Sequence, residues 1–190
     1  MKNLVLLLAL VALSSTAVFA GGATSSIDLD RSVVSWKGYK VTGSHTGTVD
    51  LKSGDLTFDK AGALTGGAFV IDLNSIKCTD LEGETAGKLV GHLTSPDFFD
   101  VAEYPTASLV ITNVAAKGTP GDYKVTGDLT IKGITKSIKF YTNITDELAV
   151  ADLEIDRTDF NVQYGSGNFI KGLGDKTIYD EFELSISLAL

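Results

Sequence analysis

Catalysis and metal binding need donor atoms brought together, and the residue types that supply them are thin in this chain. It has one cysteine, Cys78, and two histidines, His45 and His92, standing 47 positions apart, so no spacing of thiolate and imidazole fits a zinc site. Tyr164-Gly165-Ser166-Gly167 is turn-rich, but it lies in a β context and precedes no helix that would hold a phosphate on its amide groups. Serine, histidine and aspartate are all present, yet no nucleophile-elbow sequence carries a serine. These sequences predict a protein that is not an enzyme and that carries no metal or other cofactor. Cys78 has no second cysteine and no basic cluster beside it, and it reads as a small buried hydrophobe rather than a reactive thiol. Asn143-Ile144-Thr145 fits a glycosylation sequon, but it falls inside a strand pattern.

Charge narrows the partners further. The 24 acidic residues outnumber the 16 basic ones, for a formal net charge of −8, and the lysines and arginines are scattered singly. Without a basic stripe to neutralise phosphates, nucleic acid is not an expected partner. The 190 residues are 44% hydrophobic and include 20 glycines, which excludes collagen-like, disulfide-scaffold and disordered classes.

The N-terminus reads as an export signal. Lys2 and Asn3 precede an apolar run from Leu4 to Leu13, and Ala17-Val18-Phe19-Ala20 offers small residues at a cleavage point after Ala20. The run stops at Ser14-Ser15-Thr16, short of the ~20 residues that a membrane-spanning helix needs, so no stable span is expected. Residues 1–20 are therefore expected to be a signal peptide and residues 21–190 a single exported domain, long enough to enclose one core.

The elements that must position any site follow a period of two almost from end to end. His45, Gly47, Val49 and Leu51 alternate with Thr46, Thr48, Asp50 and Lys52, as a half-buried strand does. A separate run holds Leu56 and Phe58, and Phe69, Ile71 and Leu73 follow a break at Gly66-Gly67. Leu129 and Ile131 lie on one face of the run from Tyr123, and Ile138 and Phe140 on the next, joined through Gly133. Ala149, Ala151, Leu153 and Ile155 form another apolar face, and Phe182, Leu184, Ile186, Leu188 and Leu190 a last one. With strands around Val33–Val41 and Thr106–Val114 the count reaches eight or nine.

A meander with one apolar face either pairs two sheets or curls into a barrel. Gly38, Gly47 and Gly127 inside strands suit the coiling of a closed barrel. Thr79-Asp80-Leu81-Glu82 has capping-box spacing and predicts one short helix leading to Leu89 and Leu93, with Gly83, Gly87 and Gly91 as a smooth side able to lie against the barrel. Pro96 to Pro105, with Phe98, Phe99 and Tyr104, predicts a compact packed turn.

An eight-stranded barrel is filled by side chains or holds one ligand. Small inward residues, Gly47, Gly127, Ala149 and Ala151, would leave room. The lumen candidates are Trp36, His45, Val49, Phe58, Phe69, Ile71, Leu129, Phe140, Ala151, Leu153, Phe160 and Leu184. His45 opens an otherwise apolar face and is either a polar ligand contact at the mouth or a satisfied structural histidine. Trp36 reads first as core, and Arg157 as half of a structural ion pair with Asp156, Asp159 or another acid. The rival to a container is a packed structural or adhesive barrel without a ligand.

Four stretches, SWKGYKVTGSHTGTV, GHLTSPDFFDVAEYPTASL, GDLTIKGITKSIKF and EIDRTDFNVQYGSG, occur in this order and spacing and resemble the YceI family of exported polyisoprenoid-binding proteins. The resemblance covers essentially the whole mature chain. It implies an all-β, lipocalin-like antiparallel β-barrel with a helix near its end, holding a long-chain isoprenoid or related amphiphilic lipid in its lumen in the bacterial periplasm. It also implies that His92 ties the helix to the barrel. The sequence departs from the family pattern at Leu89-Val90, where a charged pair is common, and at Asn161, where glycine is common. Oligomeric state is open, a dimer included.

Overall fold

The computed structural model describes residues 22–190, so the expected signal peptide lies outside the described residues. Nine strands form one sheet: β1 (Ala23–Ser26), β2 (Asp28–Lys40), β3 (Gly43–Phe58), β4 (Leu64–Cys78), β5 (Thr106–Ala116), β6 (Asp122–Ile131), β7 (Ile134–Ile144), β8 (Leu148–Asp156) and β9 (Ile178–Ala189). All neighbours run antiparallel, and pairings β2–β9 and β3–β4 close β2 to β9 into an eight-stranded barrel. Closure removes the open edges that a sheet of this size would otherwise present. The short β1 pairs with the far end of β3, from Ala23 opposite Phe58 to Ser26 opposite Asp55.

Alternation sets which side chains point inward, and β-bulges decide where that alternation flips. The runs ending at Lys52 and beginning at Asp55 are one strand, β3, not two. Its pairing with β4 slips between Leu51 and Ser53, so the inward positions change from the odd Val49 and Leu51 to the even Leu56. One extra residue accounts for the flip. A larger slip flips β4, where three extra residues separate the pairs Thr48–Lys77 and Asp50–Asp72, and inward Leu73 is followed by inward Ile76. There the Ser75 hydroxyl donates to the Asp72 carbonyl and accepts from the Asp50 amide. Gly66-Gly67 lies inside β4 and does not break it. A Cβ on Gly67 would stand 2.7 Å from the Asp55 carbonyl oxygen, and its absence lets the strands pair this closely. The turn falls instead at Asp59–Ala63, where the Asp59 carboxylate accepts from the amides of Ala61 and Ala63.

The helix α1 (Gly83–Thr94) exists but starts later than its capping-box sequence predicts. Thr79, just past the end of β4, is tied to β3, its amide donating to the Thr46 carbonyl at 2.9 Å, and the side chain of Asp80 is taken by the Thr46 amide and His45. Glu82 becomes the N-cap and makes no side-chain cap bond. Gly87 and Gly91 do not lie against the barrel, since a Cβ at either would meet nothing within 4 Å. The face at Ala86, Leu89, Val90 and Leu93 is the half-buried one. The packed turn after α1 is present, with Phe98 and Val101 buried.

Candidate functional site

The barrel holds an apolar chamber in two adjoining parts, about 140 Å³ and about 90 Å³. Val34, Ile71, Leu129 and Leu184 line both, forming a waist between them. The larger part lies under α1 and the turn after it, with Leu93, Phe98 and Phe99 in its wall. The smaller runs toward Leu64, Ile144 and Leu188. Thr142 is the only lining residue of the smaller part with a polar side chain.

Many inward side chains are only half-buried, among them Trp36, Leu51, Phe140, Ala151, Leu184 and Ile186. All six line the chamber, whose surface accounts for residual exposure on the inner side of the sheet. A barrel filled to the density of a protein interior would bury such residues fully.

Nine of the residues expected in the lumen line it: Trp36, Val49, Phe69, Ile71, Leu129, Phe140, Ala151, Leu153 and Leu184. Three lie elsewhere. Phe160 is 1% exposed and packs in the solid core. Phe58 sits in an open depression beyond the small chamber with Tyr123 and Leu190. His45 is off the chamber wall because its ring is held by Asp80, Nδ1 to Oδ2 at 2.9 Å. Of the small residues expected to leave room, Ala149 and Ala151 line the small chamber. The space beside Gly47 is filled by the Trp36 indole, and that beside Gly127 by Leu109. The Trp36 Nε1–H donates to the Thr48 carbonyl at 3.3 Å, fixing the ring across the sheet.

Two polar clusters sit beside the chamber. Asp80 accepts from the Thr46 amide, the His45 ring and the Cys78 thiol. Those bonds, the amide's first, hold its carboxyl down at about 2. Burial, then the bond to Asp80, pushes the Cys78 thiol up, so the thiolate is disfavoured.

The second cluster centres on Arg157, 2% exposed, at the start of the 3-10 turn Arg157–Phe160. Its Nε donates to the Tyr179 carbonyl, Nη1 to that of Val162, and Nη2 to the Ile178 carbonyl and the Asp180 carboxylate at 3.2 Å. Asp180, neither Asp156 nor Asp159, is therefore the ion-pair partner. Its other oxygen accepts from Asn168 Nδ2 at 2.7 Å. Burial lowers the Arg157 pKa, and Asp180 opposes that shift. With four of its five hydrogens spent on carbonyls and a carboxylate, this guanidinium clamps the 157–180 segment at the chamber wall.

The chamber opens beside this clamp. Gly38 pairs with Phe182 and Lys40 with Ile178, so one residue of β2, Tyr39, faces three of β9, Tyr179, Asp180 and Glu181. Tyr39, Tyr179 and Glu181 line the large chamber at this irregular seam. A Cβ on Gly38, which also lines the chamber, would meet nothing within 4 Å, so the chamber is unfilled there, and the exposed Tyr179 and Glu181 in its wall mark the opening. His92, on α1, stacks edge-on with Phe98 and Tyr164 at centroid distances of 5.6 and 4.5 Å, joining the helix to the loop before β9.

Lining residues from β2 to β9 were legible as alternating positions, but Leu93, Phe99 and Arg157 come from a helix and turns. No period in the sequence marks those three as chamber walls. Among the described residues, no helix is long and apolar enough to cross a membrane, and no three His, Cys, Asp or Glu side chains form a group able to hold a metal ion.

Comparison with known proteins places this geometry. Residues 26–190 match the model of the YceI-like domain. A "UPF0312 protein" of Shewanella denitrificans is 34% identical over 127 residues, which are 66% of this chain and 60% of that protein. One from Vibrio parahaemolyticus is 34% identical over 118 residues, 62% and 56% of the two chains. These matches thus span about six-tenths of the curated relatives' lengths. Among solved structures, Burkholderia cenocepacia BcnA superposes with a TM-score of 0.68 at 26% identity, covering 86% of this chain and 99% of that one. A polyisoprenoid binding domain from Saccharophagus degradans does so with a TM-score of 0.60 at 18% identity, covering 89% and 98%. The closed eight-stranded barrel and the domain match over residues 26–190 together establish that the chain belongs to the YceI-like domain family.

Proposed function

We propose that the chamber binds one long-chain amphiphilic lipid of the polyisoprenoid type, without catalysis, for carriage, storage or sensing in the periplasm. The observation that carries this reading is the two-part apolar chamber with half-buried inward side chains on both sides of its waist. Its shape and lining suit a flexible hydrocarbon chain. The resemblance in fold to the Saccharophagus polyisoprenoid binding domain supports the choice of lipid class. Export to the periplasm rests on the residues of Met1–Ala20 alone.

Each methylene-sized group buried in the chamber contributes ~0.8 kcal/mol, part of it consumed by ordering and association. The driving force is therefore apolar burial, with no charged contact required. Ala151, half-buried on the wall of the smaller part, is the position to test. Ala151→Trp should fill that part and abolish binding of a fluorescent isoprenoid analogue while the thermal melt shows a folded barrel. Unchanged binding by a folded Ala151→Trp protein overturns the reading. Strong destabilisation instead points to a packed barrel. Mass spectrometry of organic extracts from the purified protein then identifies the lipid.

A further inference from the structure

The loop between the Arg157 turn and β9 places apolar side chains in solvent beside the chamber opening. Phe169 and Ile170 are 53% and 43% exposed, next to Tyr164 at 47% and Tyr179 at 49%. Their exposure is enforced by the turn beneath them. The amides of Phe169 and Ile170 both donate to the carbonyl of Ser166, a residue with no exposure at all. Ser166 bridges to Ile178, and the neighbouring Asn168 is tied to buried Asp180. The turn is thus pinned to the core at two points and holds its two largest apolar side chains outward.

This collar is continuous with the chamber, since Tyr179 is both exposed and part of the chamber wall. Its charge also departs from that of the molecule. The loop 161–177 carries Lys171 and Lys176 against Asp175, and at the seam exposed Lys40 stands opposite Ile178 while Glu181 is exposed beside it, three bases to two acids in a chain with 24 acids and 16 bases. Exposed aromatic and aliphatic side chains with a small local excess of lysines suit the boundary between head groups and acyl chains of an anionic bilayer. We propose that this collar seats on an anionic lipid bilayer and aligns the seam between β2 and β9 with it, so that the chamber loads from the membrane. The proposal rests on the reading of the chamber as a lipid site.

The test is flotation of the exported protein with vesicles of phosphatidylethanolamine and phosphatidylglycerol, alongside the rate at which it extracts a fluorescent isoprenoid from them. Neither Phe169 nor Ile170 lines the chamber. The double variant Phe169→Ser/Ile170→Ser should lower vesicle partitioning and extraction rate by about tenfold or more. Its affinity for a water-soluble short-chain isoprenoid should be unchanged. Lys171→Glu/Lys176→Glu should weaken binding to these vesicles but not to vesicles of neutral lipid. Vesicle binding by the wild type that survives both variants, or no vesicle binding at all, overturns the proposal. So does a dimer that forms through this face in place of vesicle binding. Failure of the wild type to bind the soluble isoprenoid strikes the lipid-site reading instead, so the two failures are told apart.

Discussion

Arg157 shows how a residue that invites a functional reading is spent on structure. Its donors reach three backbone carbonyls from the turn it begins and from β9, and its charge is met by Asp180. Replacing it with methionine leaves Asp180 buried without its cation and three carbonyls short of a donor. Arg157→Met should cost about 3–5 kcal/mol in urea unfolding. Asp80 has a different signature, because its hydrogen bonds, that from the Thr46 amide first, hold the native carboxyl down at about 2, below its ordinary 3.8. A depressed folded value stabilises the protein above the unfolded pKa, and that stability is lost as pH falls from 3.8 toward about 2. Asp80→Asn should therefore flatten the fall of stability over that interval while leaving the curve's shape near neutral pH unaltered, as measured by denaturant melts at stepped pH. Cys78, expected as a small buried hydrophobe, is only half-buried and donates its thiol to Asp80. The Asp80–His45 contact was not legible in the sequence, since it depends on β3 and β4 being in one register 35 residues apart.

At the scale of single elements, glycines with the same local cost have opposite structural meaning. Gly87 and Gly91 lie on the open side of α1 with nothing within 4 Å, so alanine there gains helix propensity and meets no obstacle. Gly87→Ala and Gly91→Ala should each stabilise by about 0.5–1 kcal/mol. Gly47 lies under the Trp36 indole and against the Lys77 carbonyl, so Gly47→Ala forces both to move and should destabilise by about 1–3 kcal/mol. Thermal melts of the three variants check the contrast in sign. The strands themselves were legible because each alternates cleanly. Their exact joins were not, because the slip at Leu51/Ser53 looks in sequence like the end of a strand, and the polar Asp80 looked like part of a helix cap. In both places a tertiary pairing, absent from any local window, decides.

The molecule as a whole is held together by a seam between its first long strand and its last. Val34 pairs with Ile186 and Trp36 with Leu184, and these residues are also chamber wall. Deleting residues 181–190 would expose the facing edges of β2 and β8 and remove the inward Phe182, Leu184, Ile186 and Leu188 together. The truncated chain should fail to fold, seen as loss of its β circular-dichroism spectrum or of solubility. A soluble chain with an unchanged spectrum would show that closure is dispensable. Barrel closure was readable from the alternation at both ends of the chain. The waist and the side opening were not, because they arise from register slips and from how far neighbouring side chains reach.

The same seam governs how the molecule can form. Val34 and Ile186 are 152 positions apart, so their pairing requires closure of a very long loop and gives the barrel a large share of non-local contacts. Until β9 arrives, β2 and β8 each keep an unpaired edge and the future chamber wall faces solvent, which is the form most prone to pairing with another chain. Productive folding is thus a race between intramolecular ring closure and intermolecular strand exchange. Closure is first order and exchange second order, so protein concentration during refolding controls yield without altering the stability of the barrel once formed.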